Sequence, residues 1–373
     1  MIPVCTPLLS GNEKKYLLDC IASNWISSSG RYIKDFEEQF SRYCGVRFGV
    51  ATTSGTTALH LAFAALGIGK GDEVIMPTFN IASTAFAALY CGARPVFVDS
   101  QKDTWNIDPQ RIERVITRRT KAIVPVHIYG HPCDMDAIMR IARKHKLIVI
   151  EDAAEAHGAE YRGWKVGGIG DVGCFSFYGN KIITCGEGGM VVTDNKKWAE
   201  RMQTLKNLSF LKEKRFWHKA IGFNYRMTNM QAALGLAQFE KIEEMAAMRR
   251  RNAAIYNALL RDVPGMTLPA ERPGVKNVYW MYSLLVGKPF AVGRDALMKQ
   301  LKEMGVESRT FFIPMHRQPV LKKMGVVSGG KFPVADDISR RGIYLPSGSG
   351  LKKKDIAYVC DCVRKIGRGR DDF

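Results

Sequence analysis

The sequence lacks the features that would tie the protein to a membrane. No run of about 18 consecutive apolar residues, the length that crosses a bilayer, occurs in its 373 residues. The start, MIPVCTPLLSGNEKKY, lacks the basic segment and long apolar segment of a signal peptide. We therefore expect a cytoplasmic protein without a membrane partner.

The sequence also lacks the spacing patterns of metal and disulfide sites. Its nine cysteines form no C-x-x-C pair, and several lie inside apolar segments. His127 and His131 have no ligand-type neighbour at metal spacing. We expect buried free thiols in a reducing compartment and no metal.

Acidic residues are few relative to basic ones, and the formal net charge is +19. The basic residues are dispersed over separate stretches, and no aromatic-spaced nucleic-acid motif accompanies them. We therefore expect no nucleic-acid partner. A positive field would equally attract a nucleotide diphosphate substrate and a phosphorylated cofactor.

The most informative stretch is present at Gly170 to Met190, GDVGCFSFYGNKIITCGEGGM. Its first part is an apolar run typical of a buried parallel strand, and a glycine-rich turn follows Lys181. Burial disfavours the ammonium form of lysine and leaves a nucleophilic amine. Lys181 is therefore a candidate catalytic residue.

A second apolar run, Leu147 to Ile150, ends in Glu151 and Asp152. Ligands of open α/β sheets bind at the carboxyl ends of strands, so Asp152 is placed to meet a cofactor. An N-cap at the start of a helix explains Asp152 about equally well when it is taken alone. Together with Lys181, it forms the pair that a pyridoxal 5'-phosphate (PLP) enzyme requires.

The segment FGVATTSGTTALHLAFAALG predicts a strand from Phe48 to Ala51 and a helix from about Thr57 to Leu66. Glycine and hydroxyl residues at a helix start present unpaired N–H groups to a phosphate. N-capping by Ser54 or Thr56 is the alternative, and both can hold.

The order of SGTTALH, IEDAAEAHGA, FSFYGNKIITCGEGGM and GFNYRMTNMQAALG resembles the DegT/DnrJ/EryC1/StrS sugar aminotransferases, over nearly the whole chain. The resemblance implies PLP fold type I (aspartate aminotransferase-like): a large α/β domain with a mixed, mostly parallel sheet and a smaller C-terminal α+β domain. We place the large domain at residues 1–245. Residues 246–373 would hold a long-helix connection and the small domain, since Pro and Gly become frequent from about Asp262.

The resemblance also assigns roles. Lys181 would bind PLP and transfer protons, and Asp152 would keep the pyridine nitrogen protonated. Asn224 would reach the cofactor phosphate of the other subunit, which implies a homodimer with shared active sites. Further cofactor residues are Gly55, Thr56 and Ser176 at the phosphate and Glu155 near the ring hydroxyl; substrate residues are Trp25, Ser27, Ser28, Arg309 and His316. A surface loop explains His316 equally well. Helix capping is the alternative for Thr228 and Asn229, because the sequence from there to Leu260 predicts one long helix.

One position departs from the family pattern. Members commonly carry an aromatic residue that stacks on the pyridine ring, whereas Ile81 stands at that place and Phe79 is the nearest aromatic residue. An apolar side chain could still cover the ring face.

Phrases such as WISSSG, VHIYG, CDMD and NYRMTN are typical of the branch that aminates GDP-4-keto-6-deoxy-D-mannose, with L-glutamate as the usual donor. A TDP- or UDP-linked keto-sugar is the alternative acceptor. A related branch dehydrates sugars but carries histidine where Lys181 stands, and a non-enzymatic nucleic-acid-binding protein would leave Lys181 and Asp152 without a use.

Overall fold

The computed structural model of the chain describes residues 1–211, 213–214, 216–327 and 329–368. The strands, in chain order, are β1 Phe48–Thr52, β2 Glu73–Pro77, β3 Arg94–Val98, β4 Thr120–Ile123, β5 Ile148–Asp152, β6 Glu160–Tyr161, β7 Trp164–Lys165, β8 Val172–Ser176, β9 Gly189–Thr193, β10 Met266–Thr267, β11 Val275–Lys276, β12 Tyr282–Val286, β13 Arg309–Thr310 and β14 Gly342–Leu345. The α-helices are α1 Glu13–Ala22, α2 Arg31–Tyr43, α3 Gly55–Ala65, α4 Ser83–Tyr90, α5 Pro109–Ile112, α6 Met135–His145, α7 Lys196–Leu205, α8 Asn229–Phe239, α9 Ile242–Leu260, α10 Arg294–Glu303, α11 Pro319–Lys323, α12 Pro333–Arg341 and α13 Lys353–Gly367.

The largest sheet has the strand order β1-β9-β8-β5-β4-β2-β3. Neighbouring strands from β3 to β8 are parallel, whereas β9 is antiparallel to both β8 and β1. Its central strands are short apolar runs that are buried along their length, as expected for a sheet with helices on both faces. The predicted mixed, mostly parallel α/β sheet is confirmed.

A second sheet, with the order β10-β12-β14-β13, is entirely antiparallel and lies in the last third of the chain. It shares an apolar cluster with the second half of α9 and with α13, in which Tyr256, Leu284 and Val363 are buried. This antiparallel sheet with its helices agrees with the smaller C-terminal α+β unit that the sequence analysis predicted. The domain boundary at about residue 245 remains a prediction.

The expected long helix is two helices. α8 ends at Phe239 and α9 begins at Ile242, so the interpretation as one continuous helix was wrong. The sequence at the break contains neither Pro nor Gly. Instead, the Glu240 carboxylate accepts hydrogen bonds from Asn12 and Tyr16, so contacts with the start of the chain accompany the break. Among the helices of the described ranges, none combines the length and apolarity needed to cross a bilayer.

The cysteines pack singly as free thiols. Only Cys5 and Cys91 are partly exposed, and the others are buried. Cys185, which follows Lys181 closely in sequence, is buried against Gly188 and Gly235 and packs in the core. Burial raises the pKa of its thiol, so it stays protonated and unreactive near neutral pH.

Candidate active site

Three segments meet at one edge of the large sheet. β5 and β8 are parallel neighbours, and β1 runs in the same direction as β8 because both are antiparallel to β9. Their carboxyl ends therefore lie at the same edge. The chain continues there into Ser54–Thr56, Ala153–Glu155 and Phe177–Lys181, so the topology brings the predicted phosphate, ring and lysine residues together.

Lys181 lies in the loop after β8, where its backbone N–H donates to the carbonyl of Tyr178 at 2.9 Å. The residue keeps some exposed surface, whereas its amine lies deep in the protein and 3.8 Å from the centre of the Trp280 ring. Burial lowers the pKa of the amine, while the nearby Glu155 and Asp152 carboxylates raise it and Arg249 lowers it further. The net effect lowers the pKa of the amine, which shifts its equilibrium toward the neutral form that nucleophilic chemistry needs.

Asp152 is the last residue of β5 and is almost completely buried. Its Oδ2 accepts a 2.7 Å hydrogen bond from the Thr84 hydroxyl, and its Oδ1 accepts from the backbone N–H of Ala154 at 3.2 Å. No helix begins at this point, so the helix-capping alternative does not apply. Burial raises the pKa of the carboxyl, whereas Thr84, the Ala154 amide and the Lys181 charge lower it.

Glu155 is the second buried carboxyl near Lys181, and its Oε2 accepts a 2.8 Å hydrogen bond from the backbone N–H of Tyr129. Burial raises its pKa to about 7, against the lowering effects of the Lys181 charge and the Tyr129 amide. His157, two residues further, is a packing residue: it lies among Phe40, Phe175 and Phe177. Burial lowers the pKa of His157 to about 3, so its ring is neutral.

The predicted phosphate residues form a narrow cup at the start of α3. Ser54 is the N-cap: its hydroxyl accepts from the Thr57 N–H, and the Thr57 hydroxyl accepts from the Ser54 N–H. Within the described chain, the N–H groups of Gly55 and Thr56 have no hydrogen-bond acceptor, as expected for a helix start. A Cβ on Gly55 would lie 2.7 Å from the Cβ of Ser176, so glycine keeps the cup open and Ser176 forms its other wall.

The predicted substrate loop around Trp25, Ser27 and Ser28 is held by Asn229, the first residue of α8. Its side chain donates to the Trp25 carbonyl at 2.7 Å and accepts from the Tyr32 N–H at 3.1 Å, and its own N–H donates to the Ser27 carbonyl at 2.6 Å. Thr228 caps α8, so Asn229 has a different role from the capping that was its alternative. Trp25 is exposed and lines a cavity of about 560 Å³ with Ser29 and Arg31.

The two other predicted substrate residues, Arg309 and His316, already have protein partners. Arg309 is exposed and forms an ion pair with Glu307 at 3.0 Å. His316 is buried, and its ring nitrogens lie 2.8 Å from the Thr78 hydroxyl and 2.9 Å from an Asp336 carboxylate oxygen. His316 thereby holds the segment around Met315 against the carboxyl end of β2, which is a positioning contact.

Asn224 is exposed, and its side-chain oxygen accepts a 3.0 Å hydrogen bond from the Arg226 guanidinium. In the part of the chain that the structure describes, it makes no hydrogen bond with Gly55, Thr56 or Ser176 of the same chain. Its predicted contact with the cofactor of another subunit stays a prediction.

Ile81 is the residue available at the position where an aromatic side chain was expected. It is 47% exposed, beside the site, and its N–H donates to the side chain of Asn80 at 2.7 Å. Phe79 is fully buried among Tyr129, Phe311 and Phe312 and belongs to the core. The side chain available at this position is therefore aliphatic, and the nearest aromatic residue in the sequence lies in the core.

The sequence analysis did not identify four residues that contribute to the site: Thr84, Tyr129 (through its backbone), Trp280 and Arg249. Thr84 lies inside a helix, and Trp280 precedes β12 in a segment that its pattern identifies only as extended. Their roles depend on contacts between distant parts of the chain. Arg249 is the first of three successive arginines in α9, and the sequence does not indicate which of them is buried.

The donor set fits PLP. The open cup at Gly55 and its free amide groups suit a phosphate, the buried Asp152 carboxylate suits a protonated ring nitrogen, and the Lys181 amine suits a bond to an aldehyde carbon.

Comparison with known proteins defines the class. The sequence matches the profile of the DegT/DnrJ/EryC1/StrS aminotransferase family over residues 7–364. A solved structure of DesV from S. venezuelae, in complex with a ketimine intermediate, superposes with a TM-score of 0.90 at 34% identity and covers 96% of this chain and 95% of that one. The fold and family thus define a PLP-dependent sugar aminotransferase. The chain belongs to the DegT/DnrJ/EryC1/StrS aminotransferase family.

Two relatives are similar to this chain over most of its length. GDP-perosamine synthase from Caulobacter vibrioides is 46% identical over 366 residues, 98% of each chain. dTDP-3-amino-3,4,6-trideoxy-alpha-D-glucose transaminase from Streptomyces venezuelae is 36% identical over 347 residues, 91% of this chain and 89% of the relative.

Proposed function

We propose that the protein transfers an amino group from L-glutamate to GDP-4-keto-6-deoxy-D-mannose and so makes GDP-perosamine. The observation that supports the reaction type is the buried Lys181 amine at the edge of the sheet, close enough to the Asp152 and Glu155 carboxylates for their charges to raise its pKa. The acceptor rests on similarity: identity to the GDP-perosamine synthase is 46%, against 36% to the dTDP-sugar transaminase.

PLP would lie with its phosphate in the cup of Gly55, Thr56 and Ser176 and its ring nitrogen at Asp152. Glu155 would lie on the side of the ring hydroxyl, and Ile81 would cover one ring face. When bound, PLP supplies an electron-accepting ring through which an amino group passes from donor to acceptor.

Lys181 has two duties in this proposal. Its Nζ would hold the cofactor until the amino donor displaces it, and the freed amine would then take and return the proton at the reacting carbon. Deep burial supports both duties, because it lowers the pKa of the amine toward the range in which a base is useful. Asp152 would keep a positive charge on the ring nitrogen, supported by its hydrogen bonds from Thr84 and the Ala154 amide.

We also propose a homodimer in which Asn224 of each subunit completes the phosphate cup of the other. In support, Asn224 is exposed, and the segment before it carries the exposed apolar side chains of Trp217 and Ile221, the latter 89% exposed. Exposed large apolar residues in one segment are typical of a protein contact. A monomer would offer the phosphate fewer donors.

A TDP- or UDP-linked keto-sugar is the second acceptor candidate, supported by the similarity to the dTDP-sugar transaminase. Sugar dehydration is disfavoured because that branch carries histidine in place of Lys181. The lysine that would make this chain an aminotransferase is the residue that the dehydratases lack.

The visible spectrum of the purified protein tests the proposal. We expect an absorption band of bound PLP that fades with L-glutamate and returns on addition of GDP-4-keto-6-deoxy-D-mannose. Return with a TDP- or UDP-linked keto-sugar alone would transfer the assignment to the second candidate. Lys181→Ala should abolish turnover, and near-normal activity of that variant would refute the mechanism. A protein that shows no band even after PLP is added would refute the proposal at its first step.

A further inference from the structure

Trp280 touches the active-site amine from a distant part of the chain. The Nζ of Lys181 lies 3.8 Å from the centre of the indole ring, a cation–π distance. The indole N–H of Trp280 donates a 2.9 Å hydrogen bond to the carbonyl of Asn180, the residue before Lys181. One side chain thus contacts both ends of the lysine: its amine and the backbone that carries it.

The position of Trp280 is itself fixed by neighbouring backbone. Gly130, with a positive φ of +100°, packs so closely against the Trp280 amide that a Cβ there would lie 2.9 Å from its nitrogen. The Tyr129 ring lies nearly parallel to the indole, 6.2 Å away. Trp280 is 4% exposed, so its ring has little freedom to move.

Arg249 of α9 holds the same residue from the other side. Its guanidinium donates hydrogen bonds to the carbonyls of Trp280 at 2.5 Å and Ser347 at 3.0 Å, to the Ser349 hydroxyl at 3.2 Å and to the Cys5 sulfur at 3.4 Å. Arg249 is 2% exposed, and no carboxylate of the described residues pairs with it. A buried arginine normally has an acidic partner, since an unpaired charge is costly to bury. Four of its five N–H donors are thus used on protein atoms, and the guanidinium acts on the Lys181 amine through its charge.

We propose that Trp280 and Arg249 form a positioning unit for Lys181, in which the indole fixes the location of the amine and Arg249 holds the backbone of Trp280 and adds a buried positive charge. The inference rests on the proposed role of Lys181 and adds two residues to it. Neither residue touches the reacting atoms of the substrate; both act through the lysine.

The charges around the amine set the direction of the expected effects. Asp152 at the end of β5 and Glu155 in the turn after it favour the ammonium, whereas burial and Arg249 from α9 oppose it. His157 is neutral, and the face of the Trp280 ring favours the ammonium weakly. Loss of the Arg249 charge should therefore raise the pKa of Lys181, so that the amine loses its proton only at higher pH.

The test measures how fast the PLP-free protein captures added PLP at pH values from about 6 to 10. The absorption of the bound cofactor is the signal. Capture needs the neutral amine, so the midpoint of the pH profile reports its protonation. We expect Arg249→Gln to move the midpoint to higher pH by about half a unit or more. Arg249→Lys, which keeps the charge, should retain the original midpoint. Arg251→Gln removes the same charge from an exposed place on the same helix and should leave the profile unmoved.

Trp280 has its own pair of variants. Trp280→Leu should lower the plateau rate of capture by at least about tenfold, because a misplaced reacting group is slow at every pH. Trp280→Phe, which keeps a ring face, should recover part of that loss. Far-UV circular dichroism of each variant checks folding, and if Arg249→Gln does not fold, the Trp280 pair decides alone.

Two results would overturn the inference: an Arg249→Gln midpoint equal to that of Arg251→Gln, or a Trp280→Leu plateau equal to that of the unchanged protein. Absence of PLP capture by the unchanged protein is a different result, since it would refute the proposed function itself.

Discussion

The hydrogen bond from Thr84 to Asp152 gives the sharpest test of the cofactor site. Thr84→Val keeps the shape of a fully buried side chain and removes its hydroxyl, which donates to the Asp152 carboxylate at 2.7 Å and accepts from Asn80. A hydrogen bond to a charged group contributes about 1.5–3 kcal/mol. At about 1.4 kcal/mol per pKa unit, its loss raises the pKa of Asp152 by roughly 1–2 units beyond the increase that burial already causes.

The consequence is weaker retention of PLP. A protonated Asp152 cannot pair with a positively charged ring nitrogen, so at pH values below the raised pKa a shift of about 1–2 units makes the dissociation constant about 10- to 100-fold higher. Because the folded-state pKa of Asp152 is raised, the defect should grow as the pH falls toward that pKa, where the carboxylate becomes protonated. Titration of the PLP-free protein with PLP, at several pH values, measures both effects.

Two controls isolate the hydroxyl. Thr84→Ser restores the donor and should restore most of the affinity. Thr104→Val makes the same change at another buried threonine, whose hydroxyl donates to Gln101, and should leave PLP binding unchanged. Equal dissociation constants for Thr84→Val and Thr104→Val would refute the assignment of Asp152 to the ring nitrogen.

Three further outcomes follow from the structure. Asn224→Ala should weaken PLP retention without unfolding the protein, and unchanged retention would remove the cross-subunit contact. Gly55→Ala should also weaken PLP binding in the same titration, because its Cβ would lie 2.7 Å from that of Ser176 and narrow the cup; wild-type affinity would contradict a phosphate there. Glu151→Gln should lower the free energy of unfolding by about 2–4 kcal/mol in urea titrations, because the buried carboxylate accepts three backbone amides and the His127 ring N–H; a loss below about 0.5 kcal/mol would count against this reasoning.

Local pattern was sufficient to predict the elements that carry the site. The strand predicted from Phe48 to Ala51 extends by one residue, and the helix predicted from about Thr57 to Leu66 spans Gly55–Ala65. The apolar strand and the glycine and hydroxyl residues at the helix start are signals that lie within a few residues of one another. The break between α8 and α9 lacks such a signal, because it accompanies contacts of Glu240 with the start of the chain.

Of the site residues, the sequence could place only those that lie at or close after the end of a strand. Lys181 follows β8, Asp152 ends β5 and Gly55 begins the helix after β1. Their proximity therefore follows from the sheet topology once the strands are recognised. For His316, the sequence could not distinguish a substrate contact from a structural one. Its partners Thr78 and Asp336 lie on separate elements, and only the fold brings them to the ring.

The environment of Lys181 also explains why the two parts of the chain depend on each other. The carboxylates that favour its ammonium come from the end of β5 and the turn after it. Trp280, which touches the amine, directly precedes β12 of the second sheet, and Arg249, whose charge lowers the pKa of the amine, lies on α9. Arg249 also bonds the carbonyl of Ser347, which follows β14. A shift of the second sheet relative to the first would therefore move the indole and the arginine charge together, away from the lysine. On this reasoning, the location and the pKa of the amine depend on both sheets.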